Sequence, residues 1–451
     1  MPISAPSRTF PRGGVHPDES KSRTCGLPLE TSAPPAEVAV LMVQHIGAPA
    51  APVVKKKDRV LKGQVVGQAQ GYISAHVHAS VSGVVKAVEP RVFNVTGAPV
   101  QAVVIENDGQ EQWADGLNEQ QDVEAMDRAR MVDLVLECGV VGLGGATFPA
   151  HVKLNPAPDM PVTDAFVNGT ECEPYVTVDH RLMLERTADI VDGLRLIMRM
   201  VQAPKGWIGV ELNKPDAIEA LSRAVEGEGG IEVVPLRVKY PQGAEQQLIT
   251  AVTGREVPSK GGLPGDVGCV VHNVATTLAI RDAVRLRRPL IERPVTVTGD
   301  GVERAGNFIE RVGAGIGAII QRQGMREGVN QLILGGPMMG IAHGTLDSPL
   351  VKGNNCILLR CGADVPPQRD CIRCGRCVEH CPLGLLPSDI SIACERQDWD
   401  AAVALDMLEC KECGCCAFVC PARRRIVHMI KFGKAELRRR KAKHKAPGAK
   451  S

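Results

Sequence analysis

Two blocks of cysteines carry the most specific chemistry in the chain. The first reads Cys371-x2-Cys374-x2-Cys377-x3-Cys381-Pro382 and the second Cys410-x2-Cys413-x2-Cys416-x3-Cys420-Pro421, with a 28-residue interval (382 to 409) between them. Thiolates at this spacing turn onto one iron–sulfur cubane, and in such paired runs the fourth, proline-followed cysteine reaches across to the other cluster. The spacing therefore assigns Cys371, Cys374, Cys377 and Cys420 to one [4Fe–4S] cluster, and Cys381, Cys410, Cys413 and Cys416 to a second. Zinc is the weaker reading, because its paired C-x2-C knuckles are set apart by a long spacer, whereas each block here crowds four cysteines into eleven residues and ends in Cys-Pro. Disulfides need an oxidising compartment, and the opening Met1-Pro2-Ile3-Ser4-Ala5-Pro6 has no apolar run of an export signal. The other cysteines (Cys25, Cys138, Cys172, Cys269, Cys356, Cys361, Cys394 and Cys415) read as small buried apolar groups. Single-electron transfer is the chemistry these residues point to.

A second stretch is Gly142-Leu143-Gly144-Gly145-Ala146-Thr147-Phe148-Pro149-Ala150-His151-Val152-Lys153. Its glycines let the backbone approach a phosphate closely, and a helix after Pro149 would turn its free N–H groups to the same anion. It is not the dinucleotide fingerprint, since a helical pattern (Val123, Met126, Met131, Leu134, Val135 and Leu136, ending at Gly139) precedes it where a strand should, and Thr147 takes the third glycine position. Gly-Lys-Ser/Thr of a P-loop is absent. A nucleotide-phosphate loop and a tight structural turn both fit the spacing. Downstream, the strand-like Asp164–Val167 runs into Asn168-Gly169-Thr170-Glu171-Cys172-Glu173-Pro174-Tyr175, whose amide and two carboxylates are suited to hydrogen-bond a cofactor's ring or ribose. The alternative is a capping turn for a helix starting at Asp179. His76-x-His78 pairs two histidines that can bind metal from one strand face, with a surface turn as the plainer reading.

The rest of the chain must position these residues. Its 451 residues suggest about three domains, and 44% hydrophobic with 23% charged residues suffices for buried cores. Aromatics at 3% and a formal net charge of +2 argue against nucleic-acid binding. The last 21 residues concentrate nine Lys or Arg against one acid. Such a tail is solvated and disordered, faces anionic lipid headgroups or contacts RNA. No run of eighteen apolar residues spans a bilayer, so a cytosolic protein or one attached to the cytosolic side of a membrane is expected.

In order, the pattern predicts an amino-terminal arm (1–30), then a β-rich module (31–112) resembling the flattened sandwich of lipoyl and biotinyl carriers, but with no lysine from Gln64 to Val85 to act as a swinging arm. An α/β domain (113–290) follows, with one long helix at Arg181–Val201, and then a small α+β unit (291–360). The cysteine region (361–432) should be helical, with helices Ser388–Gln397 and Asp398–Glu409 capped by Ser388 and Asp398, and the basic tail begins at 433. The two methionines of Gly335-Gly336-Pro337-Met338-Met339-Gly340 read as core filling.

Taken together, these residues resemble one family. The arm Arg12-Gly13-Gly14-Val15-His16-Pro17, Gln44-His45-Ile46-Gly47-Ala48-Pro49 and His78-Ala79-Ser80-Val81-Ser82-Gly83 look like the amino-terminal module of the C subunit of the Rnf ion-translocating ferredoxin:NAD oxidoreductase. The Gly142–Lys153 loop and the Asn168–Pro174 turn are similar to the FMN and NADH site of the 51-kDa flavoprotein subunit of respiratory complex I. The resemblance implies that Gly142, Gly144, Gly145 and Lys153 hold the FMN phosphate and ribityl chain, with Asn273 near the phosphate end. Asn168, Thr170 and Glu171 would lie by the isoalloxazine ring, Phe148 would stack on a nicotinamide nucleotide and Glu173 would bind its ribose. Gly243, Ala244 and Glu245 align with a Gly-Glu-Glu turn, from which this chain departs at Ala244. It departs too at Thr170, where complex I has Asp, and at Leu143, where it has Arg. The 291–360 unit resembles the β-grasp soluble-ligand-binding insert, and the cysteine region a helical dicluster ferredoxin.

The resemblance implies a peripheral subunit on the cytoplasmic side of the bacterial inner membrane, passing electrons between NAD(H), FMN and two [4Fe–4S] clusters to other Rnf subunits and, through the complex, ferredoxin. Alternatives are a cobalamin-reductase-type flavoprotein of a microcompartment, and a non-catalytic iron–sulfur wire. In none of them is an acid, base or nucleophile required, so no residue is expected to be catalytic in that sense.

Overall fold

The computed structural model describes the backbone of residues 8–445 and side chains as far as Arg440. The amino-terminal β runs form two facing sheets. Glu37–Leu41, Pro99–Asn107, Gly83–Val92 and Arg59–Val60 make one, and Ala51–Pro52, Val65–Gln68 and Val77–His78 the other. Alternation sends Val38, Val40, Val60, Val66, Val77, Val85, Val103 and Ile105 into the space between them. His78 does not sit in a surface turn. It is buried, its Nε2 lies 2.8 Å from the Glu137 carbonyl, and desolvation pushes its pKa well down, so it docks the module onto the helix Arg128–Glu137. That helix is shorter than the pattern from Val123 suggests, because Asp127 caps it by accepting from the Arg130 amide at 2.8 Å.

The central domain is built on a parallel sheet ordered Ile231–Leu236, Lys205–Glu211, Asp164–Gly169, Cys269–Asn273. Side chains alternate across it: Ala165, Val167, Ile208, Val210 and Val270 meet helices Thr187–Val201 and Val274–Leu286, whereas Phe166, Val234, Leu236, Cys269 and Val271 meet Glu245–Thr253. The chain leaves Asp164–Gly169 toward one edge and returns to lay Cys269–Asn273 on its other side. The carboxyl ends of these two strands thus flank a switch point, where open α/β sheets receive ligands. In place of a single helix at Arg181–Val201 there are two, Val178–Glu185 and Thr187–Val201, because Arg186 leaves helical geometry (φ −128°, ψ 32°).

Residues beyond 290 form a mixed six-stranded sheet, ordered Leu29–Thr31, Gly306–Arg311, Glu292–Thr298, Cys356–Cys361, Val329–Leu334, Ile341–His343, with helix Ile316–Gln323 packed on it. Its first strand belongs to the arm. The arm is also bridged at Arg8 to Leu236 and at Val15 to Tyr240, so it threads between domains.

The cysteine region carries short helices Arg376–Glu379, Pro387–Glu395, Trp399–Ala404 and Cys415–Phe418. Pro387 takes the first helical position, which puts Ser388 inside the helix and not at its cap. Asp398 does cap the next helix, accepting from Ala401 N at 3.0 Å, but that helix stops at Ala404 before a 3-10 turn at Met407–Glu409. The last helix, Ile426–Lys445, runs through 433, where the charge pattern places the start of a disordered tail. Packing explains the extension: Ile430 is buried, Lys434 donates to the Cys410 carbonyl, and Phe432 meets Trp399 edge-on at 5.7 Å. Residues 446–451 of the tail lie outside the described residues. Among the described residues no helix is long and apolar enough to cross a membrane.

Candidate cofactor crevice and cysteine centre

The glycine loop is held over the switch point from three sides. Leu143 donates its amide to Thr276 Oγ1 at 2.8 Å and accepts at its carbonyl from Arg293 Nη2 at 2.7 Å, while Ile46 N reaches the Thr147 carbonyl at 3.3 Å. The loop closes on itself where Gly142 N donates to the Phe148 carbonyl at 2.8 Å. Its crest, Gly144-Gly145-Ala146, is exposed, and among the described residues nothing accepts from those three amides. At Gly145 φ is +114°, a conformation that a side chain rarely adopts. Gly144 lies against Asn273, where an added Cβ would come within 3.2 Å of the Asn273 Cβ. The crest therefore presents a row of free N–H groups beside the start of the thirteen-residue helix Val274–Leu286, which suits a phosphate. The helix expected after Pro149 adds little: it is the single turn Ala150–Lys153, and Ala150 N is already bonded to the Val140 carbonyl at 3.0 Å.

Other expected residues converge on one side of this crevice. Lys153 Nζ pairs with Glu245 at 2.5 Å and reaches the Val271 carbonyl at 3.2 Å. Asn168 donates to the Gly243 carbonyl at 2.7 Å and accepts from Thr170 Oγ1 at 2.7 Å; a Cβ on Gly243 would come within 2.4 Å of that hydroxyl. Asn273 Nδ2 donates to Asp179 at 2.5 Å, while its Oδ1 accepts from Ala275 N at 2.9 Å. Phe148 is half-buried at the base of the loop.

The two acidic side chains of the turn are engaged within the protein. The Glu171 side chain is buried, on a backbone at φ +44°, and accepts from Asp179 N at 2.6 Å and His180 N at 3.3 Å, so it supplies the cap of helix Val178–Glu185 that the sequence places at Asp179. Glu173 accepts from Met338 N at 2.7 Å and Met339 N at 3.1 Å, which fastens the Gly335–Gly340 turn to the central domain. Two buried lysines hold the backbone of this turn. Lys214 Nζ donates to the Thr170 carbonyl at 2.7 Å, and Lys21 Nζ to those of Glu171 and Val176 at 2.5 and 2.8 Å.

Burial raises the Glu171 carboxyl to about 7, opposed chiefly by Lys21. Unfolded, the same group titrates near an ordinary glutamate's ~4.3. The folded chain thus holds the extra proton between those values. Its contribution to stability is complete below the lower value and is lost as pH rises through about 7, a change of roughly 3 to 4 kcal/mol. The unfolding free energy of the wild type, measured relative to Glu171→Gln across that window, should fall with rising pH; a pH-independent difference contradicts the assignment.

The cysteines form two unlike sets. Cys381 comes from the first block, yet it lines one apolar cavity with Cys410, Cys413 and Cys416 of the second, walled by Leu385, Ile390 and Val427. Cys377 is buried, Cys371 and Cys420 are half-buried and Cys374 is exposed. The Arg369 amide donates to the Ala422 carbonyl at 2.9 Å and so draws the start of the first block toward the end of the second. Among the described residues, no three His, Cys, Asp or Glu side chains converge on a single-ion site.

Three residues join these parts in roles that no sequence pattern marks. Arg293, fully buried, donates to Asn354 O at 2.6 Å as well as to Leu143 O, and lies near Asp179. Tyr240 donates to the Cys413 carbonyl at 2.7 Å beside the Glu173 carboxylate. Gly13 packs on the Cys381 backbone, where a Cβ would meet its carbonyl at 2.6 Å. An arginine in a strand and a tyrosine before a proline carry no local signal of such roles.

The fold and site define a multidomain α/β protein with an exposed glycine loop over a sheet switch point, set beside a cysteine-rich helical unit. Residues 135–282 match the Nuo51 FMN-binding domain, and residues 9–110 match the RnfC barrel sandwich hybrid domain. The chain is 44% identical to the C subunit of the proton-translocating ferredoxin:NAD(+) oxidoreductase complex of Clostridium ljungdahlii, over 96% of this chain and 95% of that one. It is 43% identical to the Na(+)-translocating counterpart of Acetobacterium woodii, over 94% and 96%. The C subunit of the ion-translocating oxidoreductase complex of Rhodobacter capsulatus is 40% identical, over 96% and 84%. Among solved structures, a chain of an NAD+-reducing [NiFe]-hydrogenase in the H2-reduced state aligns with a TM-score of 0.48 at 17% identity, over 73% of this chain and 66% of that one. The chain belongs to the family of C subunits of Rnf-type ion-translocating oxidoreductase complexes.

Proposed function

We propose that this chain passes electrons between NAD(H) and partner subunits of an Rnf complex, using FMN in the crevice and one [4Fe–4S] cluster on each cysteine set. When bound, FMN supplies the conversion between a two-electron hydride and single electrons, and the clusters carry the latter. The observation that carries this reading is one of placement: the Tyr240–Gly243 loop runs from the cysteine cavity to the crevice, touching Cys413 at one end and Asn168 at the other.

The free crest amides of Gly144 to Ala146 hold the phosphate, with Gly142 shaping the loop and Asn273 beneath it. Lys153, released from Glu245, adds a mobile positive charge. Asn168 and Thr170 face the ring side, and Phe148 offers a stacking surface. The engaged carboxylates of Glu171 and Glu173 shape the turn rather than contact the nucleotides. Residues 291–360 serve as a β-grasp insert and 361–432 as a helical ferredoxin domain. The chain sits peripherally on the cytoplasmic side of the inner membrane, and ion translocation occurs in its partners.

NADH added anaerobically to the pure protein should bleach the visible flavin band. Lys153→Ala should lower FMN affinity by about 10- to 100-fold, the loss of one charged hydrogen bond, without changing iron content. An intact preparation that contains no flavin sinks the reading.

A further inference from the structure

The amino-terminal module reaches the glycine loop through the turn that joins Val65–Gln68 to Val77–His78. This tip is braced on the neighbouring segment 45–48, where Ala48 N donates to the Ile73 carbonyl at 3.0 Å and Ser74 Oγ donates to the Ala48 carbonyl at 2.9 Å. Both segments then meet the descending arm of the glycine loop. Ile46 N reaches the Thr147 carbonyl, and His151 Nε2 lies 3.3 Å from the Tyr72 carbonyl. The Tyr72 ring meets that of His151 edge to face, with centroids 6.4 Å apart, yet stays 63% exposed, more than any other aromatic side chain among the described residues. Ile46, 53% exposed, and Ile73, 41% exposed, widen the apolar surface. Gly71 beside them faces open space, since an added Cβ there would meet nothing within 4 Å. Residues 42–54 and 64–85 carry no Lys, Arg, Asp or Glu.

A held aromatic ring on an uncharged surface has nothing to recruit an ionic partner or a phosphate, but it suits a flat heteroaromatic group that stacks without a countercharge. Its place beside the glycine loop selects which group. On one flank of the crest Gly144 lies against Asn273, whose partner across the sheet is Asn168, so the flavin ring side is there. The tip stands on the other flank, at Thr147. A dinucleotide with its nicotinamide on the ring side therefore extends its adenine toward the tip. We propose that Tyr72, flanked by Ile46 and Ile73, is the surface on which the adenine of NAD(H) stacks, so that the amino-terminal module completes the dinucleotide site. The proposal rests on the FMN and NAD(H) reading above. Tyr72 binds and takes no part in the electron transfer.

The test uses the full chain with its flavin and two halves of the dinucleotide: ADP-ribose, which keeps the adenine, and nicotinamide mononucleotide, which lacks it. In calorimetry Tyr72→Ala should weaken ADP-ribose binding by about 5- to 150-fold, the worth of one base–aromatic stack. Affinity for nicotinamide mononucleotide and flavin content should not change. Tyr72→Phe keeps the ring and should bind ADP-ribose as the wild type does. Equal ADP-ribose affinity in Tyr72→Ala and wild type, equal weakening of both halves, or no ADP-ribose binding by the flavin-loaded wild type each overturn the platform. A wild-type dimer in sedimentation that Tyr72→Ala dissolves also overturns it, since a second copy then covers the tip. A wild type without flavin refutes the FMN reading instead; Tyr72-dependent ADP-ribose binding by that same protein still supports the platform, and its absence overturns it.

Discussion

Replacing Cys381 with alanine should remove the iron held with Cys410, Cys413 and Cys416 and leave the iron of Cys371, Cys374, Cys377 and Cys420 in place. Cys381 is four residues from Cys377 in the chain but shares its cavity with the second block. A chain read block by block predicts the opposite loss. Iron should fall by about half, roughly four atoms of eight, and one of the two reduced-cluster signals should disappear. Cys420→Ala should remove the other signal. If Cys381→Ala instead abolishes the signal that Cys374→Ala abolishes, the crossed pairing is wrong. Because Tyr240 touches Cys413 and Gly13 touches Cys381, losing this cluster should also leave NADH able to reduce the flavin while electrons no longer reach the cluster of the Cys371 set.

The second large effect is expected at Arg293. Its guanidinium, with 1% of the residue exposed, donates to the carbonyls of Leu143 and Asn354, and Asp179 lies close enough to favour its charge. Arg293→Met keeps much of the volume but leaves two carbonyls without a donor and Asp179 without its cation. Breaking a buried charged group from its partners in this way costs about 3 to 5 kcal/mol. Asp179 also accepts from Asn273, so the loss should spread to the crevice floor and lower flavin content. Arg293→Lys should rescue little, since one ammonium cannot reproduce the planar fork that serves both carbonyls. Denaturant midpoints and flavin-to-protein ratios measure the two effects; unchanged values in Arg293→Met remove Arg293 from this role.

Arg293 also bears on the departure at Leu143. A chain without an arginine in the loop places another beneath it, from a strand 150 residues away. No reading of the loop alone could find it.

Much of the molecule is legible in the sequence. The two Cys-Pro blocks, the β-rich module, the glycine loop and the βαβ alternation are local patterns, set by spacing and by periods of two and 3.6 residues. Local signals also mark Asp398 as a cap and rule out a carrier lysine in the hairpin. They fail where a side chain has two possible employers. Type and position make Glu171 and Glu173 look like cofactor ligands, yet one carboxylate meets the amides of a helix start and the other those of Met338 and Met339. Ser388 has the type of a cap, but Pro387 occupies the first turn, and the basic run after 433 stays helical because Lys434 and Phe432 find partners in the cysteine region. The sequence by itself determined which chemistries the chain can carry, because ligand type and spacing are covalent facts. The fold settled which carboxylates remain free and which cysteines meet solvent, because each depends on residues distant in sequence competing for the same buried hydrogen bonds.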